Sequence, residues 1–188
     1  MHDRAPDLIG PLVGWRAWNV VSTEDGWRLQ STHMGDPWPV GEPLEAKCHR
    51  DRVIAGGLPY HARHEPPHRS CQCGVYGASS PEEATQYFVP SWADLSPLPA
   101  PKLDESYVPR AVGRVSLWGR VLECSQGYRA TKAYPAEIFL PRHRPDGRQF
   151  DAARIAFDLL DYGVPVDLID VSTRAEIRHH LDGRAAAA

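Results

Sequence analysis

Proline constrains the fold of this chain more than any other residue. It occupies 18 of the 188 positions, about twice the average share of ~5%. Because proline removes a backbone hydrogen-bond donor and glycine weakens a helix, these prolines and the 15 glycines interrupt long helices. The sequence therefore predicts short helices. Five prolines between residues 90 and 109 predict an extended connector.

The composition is otherwise that of a globular protein with a hydrophobic core. Hydrophobic residues make up 42% of the chain and charged residues 24%, which are ordinary values for a folded domain. No apolar stretch approaches the ~18 residues of a transmembrane helix, and residues 1–10 lack the apolar segment of a signal peptide. We therefore expect one domain over residues 1–188 in the reducing cytoplasm, no membrane partner, and cysteines present as thiols.

The net charge of -3 and the pI of about 6.3 do not favour a nucleic-acid partner. Proteins that bind nucleic acid usually carry a basic excess, since contacts to phosphate supply much of their affinity. A local basic face remains compatible with these values. An unidentified protein or a small ligand is the favoured partner.

The first predicted β-hairpin lies near the start of the chain. Residues 15–21 alternate between two faces, Asp25 and Gly26 form a turn signal, and residues 27–31 are typical of a returning strand. A second hairpin is predicted from residues 114–122 and 128–134. A glycine inside a strand marks a bulge or a close backbone approach, and Gly119 occupies such a position in the second hairpin.

Helix signals are short and local. Ser80, Pro81 and Glu83 form a capping box with proline at the first helical position. Residues 151–162 predict an amphipathic helix. Gly163 is the predicted C-cap of this helix. A strand is predicted over residues 164–169, and a final short helix is predicted to begin at Thr173.

Together these elements predict an α+β fold with a β-rich core. The core spans residues 14–135, and its hairpins form a sheet or a partly open barrel. A structural zinc knuckle is expected at residues 48–73, short helices cover the edges, and residues 150–183 add a C-terminal helix-strand-helix appendage.

Cysteine and histidine gather in the proline-rich middle of the chain. Three cysteines and four histidines fall between residues 48 and 73, and thiolate and imidazole are the ligands that Zn²⁺ prefers in tetrahedral sites. We predict one structural zinc ion held by Cys48, His64, Cys71 and Cys73. His61 and His68 are the alternatives to His64.

A catalytic zinc ion is not favoured. His64, Glu65 and His68 match the His-Glu-x-x-His pattern, but that pattern binds zinc on a helix, which Pro66 and Pro67 oppose. The nucleobase deaminase pattern fails because its spacings, His-x-Glu and Cys-x-x-Cys, are absent here.

The favoured interpretation of Cys124 is an ordinary core thiol, since free cysteine is usually buried. A nucleophile or a replacement metal ligand are the alternatives.

Six tryptophans are many for this length, and several lie on predicted strands beside arginines. Trp15 and Trp18 face opposite sides of their strand, so they cannot share one core without a second covering layer. Aromatic walls with a few polar groups are typical of ligand pockets. The candidate ligand-binding residues are Trp15, Arg16, Trp18, Trp118, Arg120 and Arg129.

Several motifs resemble an uncharacterised family of small bacterial proteins that is common in actinobacteria. The resemblance covers residues 14–166 and implies that the four candidate metal ligands act as a unit, but it implies no activity. The motifs that carry it are Gly14-Trp-Arg-Ala-Trp18, the series Cys48, His64, Cys71-x-Cys73-Gly-Val-Tyr76, Val115-Ser-Leu-Trp-Gly-Arg-Val121, Gly127-Tyr-Arg-Ala130, Tyr134-Pro135 and Tyr162-Gly-Val-Pro-Val166.

The favoured function is a non-enzymatic recognition or adaptor module that the zinc ion stabilises. Such a module would bind a protein, a peptide or a small flat ligand through the tryptophan and arginine side chains. The alternative is a nucleic-acid reader of an exposed base, since aromatic and arginine side chains stack on bases. A second alternative is an enzyme that uses the zinc ion or Cys124.

Overall fold

A computed structural model describes residues 11–32, 35–48, 64–87, 108–143, 150–171 and 174–185. Within these ranges the protein is β-rich, with few and short helices, as the proline content predicts. None of the described helices is long and apolar enough to cross a membrane. The strands are β1 (Leu12–Thr23), β2 (Gly26–Ser31), β3 (Leu44–Glu45), β4 (Val75–Ala78), β5 (Arg110–Cys124), β6 (Gly127–Pro141) and β7 (Val166–Ile169). The helices are α1 (Pro81–Thr85), α2 (Ala152–Leu159) and α3 (Arg174–Ala185), with a 3-10 turn at Leu160–Tyr162.

The first predicted hairpin is confirmed as the antiparallel pair β1 and β2. Their register aligns Trp18 with Ser31 and Thr23 with Gly26. The hydroxyl of Thr23 donates a hydrogen bond of 2.7 Å to the carbonyl of Gly26, which closes the turn at the end of the hairpin. Local alternation and a turn signal were enough to predict this element.

The second hairpin is also confirmed, and β6 is longer than the sequence predicts. The register between β5 and β6 shifts between Trp118 and Val121, and Gly119 has a φ of 79° there, so this glycine marks the predicted bulge. Strand β6 continues through Pro135 to Pro141, with a further register shift opposite Arg114 and Val115. The bulge accommodates a proline that would otherwise end the strand.

All seven described strands belong to one mixed sheet. Strand β5 pairs antiparallel with β1 and with β6, and β4 pairs antiparallel with β6 and, through one residue pair, with β1. Strand β3 also pairs with β6, whereas β7 runs parallel to it. Strand β6 therefore contacts four other strands and organises most of the sheet.

Hydrophobic side chains form two buried clusters, and the two tryptophans of β1 belong to different ones. Trp18 lies in the larger cluster and Trp15 in the smaller. The smaller cluster includes Ile177 and Leu181 from α3. The C-terminal region thus supplies the second covering layer that the opposite directions of Trp15 and Trp18 require.

The predicted helix ends at Ser80, Asp151 and Gly163 are confirmed by hydrogen bonds and backbone geometry, whereas Thr173 lies outside the described residues. The hydroxyl of Ser80 accepts a hydrogen bond from the backbone N–H of Glu83 at the start of α1. The carboxylate of Asp151 does the same for Arg154 at the start of α2, and Gly163 adopts a left-handed φ of 68° after the 3-10 turn. Such caps satisfy backbone groups that a helix end leaves without partners.

Gly127 permits a close approach between β6 and β4. Its φ is 142°, and a Cβ atom added there would lie 2.2 Å from the carbonyl oxygen of Gly77. Gly35 has a similar φ of 138° but no atom within 4 Å of an added Cβ. The two positions therefore share backbone strain but differ in available space.

We expect Gly127→Ala to destabilise the protein more than Gly35→Ala. In the matched control Gly35→Ala, alanine has to adopt the positive φ of glycine, which lowers the unfolding free energy by about 1–3 kcal/mol. Gly127→Ala has the same cost and also a steric clash, which lowers the unfolding free energy by about 1–3 kcal/mol more. Urea denaturation of both variants measures the difference in unfolding free energy. Equal losses would show that β4 and β6 do not approach closely at Gly127.

Candidate metal centre

Strand β6 brings the segments that carry the four predicted ligands together. Strand β3 leads to Cys48 and pairs with β6 at Ala133, while β4 follows Cys73 and pairs with β6 at Ala130. Beyond β3, the backbone N–H of Ala46 donates a hydrogen bond of 2.8 Å to the carbonyl of Thr131. Two segments distant in sequence thus meet along one edge of β6.

The four predicted metal ligands converge. The ligand atoms of Cys48, His64, Cys71 and Cys73 all lie within 4.8 Å of one another, so these residues can hold a metal ion. The sulfurs of Cys48 and Cys71 are 3.8 Å apart, and the sulfur of Cys73 is 3.3 Å from Nε2 of His64.

These separations fit a tetrahedral site. Metal–ligand bonds of ~2.3 Å to sulfur and ~2.0–2.1 Å to nitrogen, at the tetrahedral angle, separate two sulfurs by about 3.8 Å and a sulfur from a nitrogen by about 3.5 Å. A disulfide is absent, since all four cysteines are free and a sulfur–sulfur bond measures only about 2.05 Å. The four side chains could therefore hold a metal ion.

The structure favours His64 over His68 as the nitrogen ligand. Nδ1 of His68 lies 2.9 Å from the hydroxyl oxygen of Ser70 and accepts a hydrogen bond of 3.3 Å from the Ser70 backbone N–H. The rings of His64 and His68 lie 4.6 Å apart, so His68 packs beside the ligand. The other alternative, His61, lies outside the described residues.

Burial acts to raise the pKa of the Cys71 thiol. Hydrogen bonds from the backbone N–H and thiol of Cys73, from Cys48 and from His64 together outweigh this effect, so the pKa of Cys71 falls to about 7. Burial raises the pKa of Cys73, and the neighbouring Cys71 raises it further. The lower pKa of Cys71 favours its thiolate, which is the form that binds metals.

Arg129 of β6 stabilises the loop that carries two of the thiols. Its guanidinium donates hydrogen bonds to the carbonyl of Cys71 and, at 3.3 Å, to that of Cys73. It also contacts the sulfur of Cys124 at 3.3 Å and lies 5.9 Å from the centre of the Tyr76 ring. Burial acts to lower the pKa of Arg129, but Cys124 and Tyr76 give a net rise.

Thr131 makes a second connection between β6 and the metal-binding loop. Its hydroxyl donates to the carbonyl of Pro66 at 3.0 Å and accepts from the backbone N–H of Arg120 at 3.2 Å. The side chain of Arg120 reaches Glu65 at 3.7 Å. Thr131 and Arg129 are two residues apart on a strand, so their side chains lie on the same face. This alternation is the sequence signal that both residues can contact the metal-binding loop.

The six candidate ligand-binding residues lie in two regions. On β1, Trp15 and Trp18 are buried and Arg16 is half-buried. On the second hairpin, Trp118 and Arg129 are half-buried and Arg120 is exposed. Cys124 is exposed too, so its interpretation as a core thiol is wrong. The binding of a ligand by the six residues stays a prediction.

Comparisons with protein-family models, with curated proteins and with solved structures found no match. The resemblance of residues 14–166 to a bacterial family thus stays an expectation. Function has to be inferred from the geometry of the metal centre and its surroundings.

We expect Arg129→Met to weaken metal binding by about 10–100-fold, because residues that orient metal ligands typically contribute that much. The matched control is Arg142→Met, which removes the same charge from an exposed ion pair with Asp170. Competition with a chromophoric chelator measures both affinities. Equal affinities for the two variants would show that Arg129 does not position the ligands.

Proposed function

We propose that this protein is a recognition or adaptor module whose metal-binding loop is folded around one structural zinc ion. The observation that carries the proposal is the convergence of three thiols and one imidazole within 4.8 Å. This donor set and these separations suit Zn²⁺, which takes thiolate and imidazole ligands in a tetrahedron.

A structural role for the zinc ion is supported by the number of protein ligands. Catalytic zinc sites keep one position open for water or substrate, whereas structural sites fill all four positions with side chains. Cys48, His64, Cys71 and Cys73 supply four. The free energy of zinc binding at such a site contributes directly to folding. This contribution compensates for the weak hydrophobic stabilisation of a proline-rich loop that buries little apolar surface.

The proposed recognition surface lies beside the metal-binding loop. We define the metal-side surface as Tyr76, Arg120 and Arg129. Tyr76 is 46% exposed and contacts Arg129, which in turn contacts the loop. Arg120 contacts the loop through Glu65. Aromatic and arginine side chains dominate binding energy at protein interfaces, so this surface suits a protein or peptide partner.

Purified protein is expected to contain one zinc ion per chain, and Cys71→Ser is expected to lose it together with the folded loop. The matched control is Cys124→Ser, which removes an exposed thiol outside the cluster and keeps the zinc ion. Elemental analysis gives the metal content, and circular dichroism before and after addition of a chelator reports folding. A folded, metal-free wild-type protein would refute the proposal.

Cys48→Ser distinguishes a structural zinc ion from a catalytic one. We expect this variant to unfold locally or globally, because it removes one of the four ligands and metal binding is coupled to folding. A variant that stays folded with zinc bound but has lost an enzymatic activity of the wild type would instead support the enzyme alternative. Hydrogen exchange across residues 64–78 measures the local unfolding.

Peptide selection tests the metal-side surface. A displayed peptide library is selected on wild-type protein and counter-selected on the variant Arg120→Glu. We expect the enriched peptides to bind the wild-type protein about tenfold more tightly than the variant. This difference corresponds to ~1.4 kcal/mol of binding free energy. Arg142→Glu, which reverses a charge in an exposed ion pair with Asp170, is the control and keeps binding. Failure to enrich any peptide would contradict the proposal.

A gel-shift assay at low salt separates this function from the nucleic-acid alternative. We expect no shift with single-stranded DNA or RNA, in keeping with the net charge of -3. A shift that weakens with added salt, as phosphate contacts require, and that Arg120→Glu abolishes would favour the nucleic-acid reader.

A further inference from the structure

Two buried N–H donors on β1 have no hydrogen-bond acceptor among the described residues. They are Nε of Arg16 and the indole Nε1 of Trp18. The two residues are two apart on a strand, so both side chains leave the same face. Buried polar groups are nearly always paired, and an exception calls for a missing water or ion.

Both side chains contact the same ring. The guanidinium carbon of Arg16 lies 5.1 Å from the centre of the Trp38 ring. The ring of Trp18 meets that ring edge-on with 5.7 Å between the centroids. Trp18 is fully buried and Trp38 is 1% exposed. Both unpaired donors therefore belong to side chains that pack against Trp38.

The positive charge of Arg16 has no counter-charge in the described part of the chain. Its guanidinium donates to the carbonyl of Tyr76 and, at 2.9 Å, to the hydroxyl of Ser31, and both acceptors are neutral. Burial lowers the pKa of Arg16 to about 10. Arg16 as a whole is half-buried, but its Nε is buried without a partner. Burying part of a charged group without a counter-charge is costly, so this site favours an anion.

Ser31 adds a third donor to the same region. Its oxygen accepts hydrogen bonds from Arg16, at 2.9 Å, and from Nε1 of Trp38, at 3.2 Å. A hydroxyl has two acceptor lone pairs and one donor hydrogen. The two bonds occupy the lone pairs, so the hydrogen of Ser31 is left for another acceptor.

We propose that Arg16 and Trp18 form a binding site for one oxyanion, the carboxylate or phosphate group of a ligand. The oxyanion accepts hydrogen bonds from Nε of Arg16 and Nε1 of Trp18 and neutralises the guanidinium. A water molecule would satisfy the donors but not the charge, whereas charge-assisted bonds from arginine to carboxylate or phosphate are among the strongest hydrogen bonds. This inference goes beyond the proposed recognition function, because the site lies beside Trp38 on β1 and not on the metal-side surface.

The site is tested by titration of the full-length, zinc-loaded protein with inorganic phosphate in one arm and acetate in the other, at constant ionic strength. Nitrogen–proton NMR spectra follow the indole N–H of Trp18, which is assigned from the Trp18→Phe variant. We expect a saturable shift of that resonance in at least one arm, and the tighter arm identifies the group. The absence of a saturable shift in both arms overturns the proposal.

Two pairs of variants connect the binding to the two donors, and anion-dependent thermal stabilisation measures it. Arg16→Lys keeps the charge but loses Nε, and Trp18→Phe keeps the ring but loses the indole N–H. Each is expected to bind at least tenfold more weakly than the wild type. Arg142→Lys and Trp27→Phe, which make the same changes at residues outside the candidate ligand-binding set, are expected to bind as the wild type does. Wild-type affinity in Trp18→Phe overturns the proposal even if Arg16→Lys fails to fold.

The zinc content of the same samples separates the two proposals. A folded, zinc-loaded protein without anion binding overturns the oxyanion site and leaves the zinc-stabilised module intact. A folded protein without zinc refutes the module, and its titration still reports whether Arg16 and Trp18 bind the anion.

Discussion

Three cysteine sulfurs and one imidazole nitrogen within 4.8 Å of one another need a positive charge between them before the sulfurs can stay together as thiolates. Like charges at such distances repel, and a divalent cation replaces that repulsion with attraction. The loop of residues 64–73 is short and half-exposed, so besides the hydrogen bonds from Arg129 and Thr131 it has few contacts that hold one conformation. Pairing with β6 holds β3 and β4 beside that strand.

Strand β6 links the metal centre to the remainder of the sheet. Its Arg129 and Thr131 bond to carbonyl groups of the metal-binding loop, while its Ile138 and Leu140 lie in the larger hydrophobic cluster. Strand β6 is therefore in contact with both the metal-binding loop and the hydrophobic core. The metal-side surface lies where the two meet, whereas the unpaired donors of Arg16 and Trp18 lie beside Trp38 on β1.

The hairpins, the bulge at Gly119, the helix caps and the four converging ligands could all be predicted from sequence. Each depends on local signals: alternation, a turn dipeptide, a capping residue, or a cluster of ligand side chains. The length of β6 beyond Pro135, the parallel pairing of β7 and the exposure of Cys124 could not. They depend on contacts between distant segments, and one extra residue in a bulge reverses which side chains face the core.

The sequence by itself determined which atoms are available for chemistry: three thiols and an imidazole suited to zinc, short elements between prolines, and tryptophans beside arginines. Only the tertiary structure decided how those side chains are used. It buried Trp18 and Trp38 around Arg16, placed Trp15 under α3, and left Tyr76 and Arg120 on the surface. Burial and missing partners result from packing among residues far apart in the chain, and no local pattern encodes them.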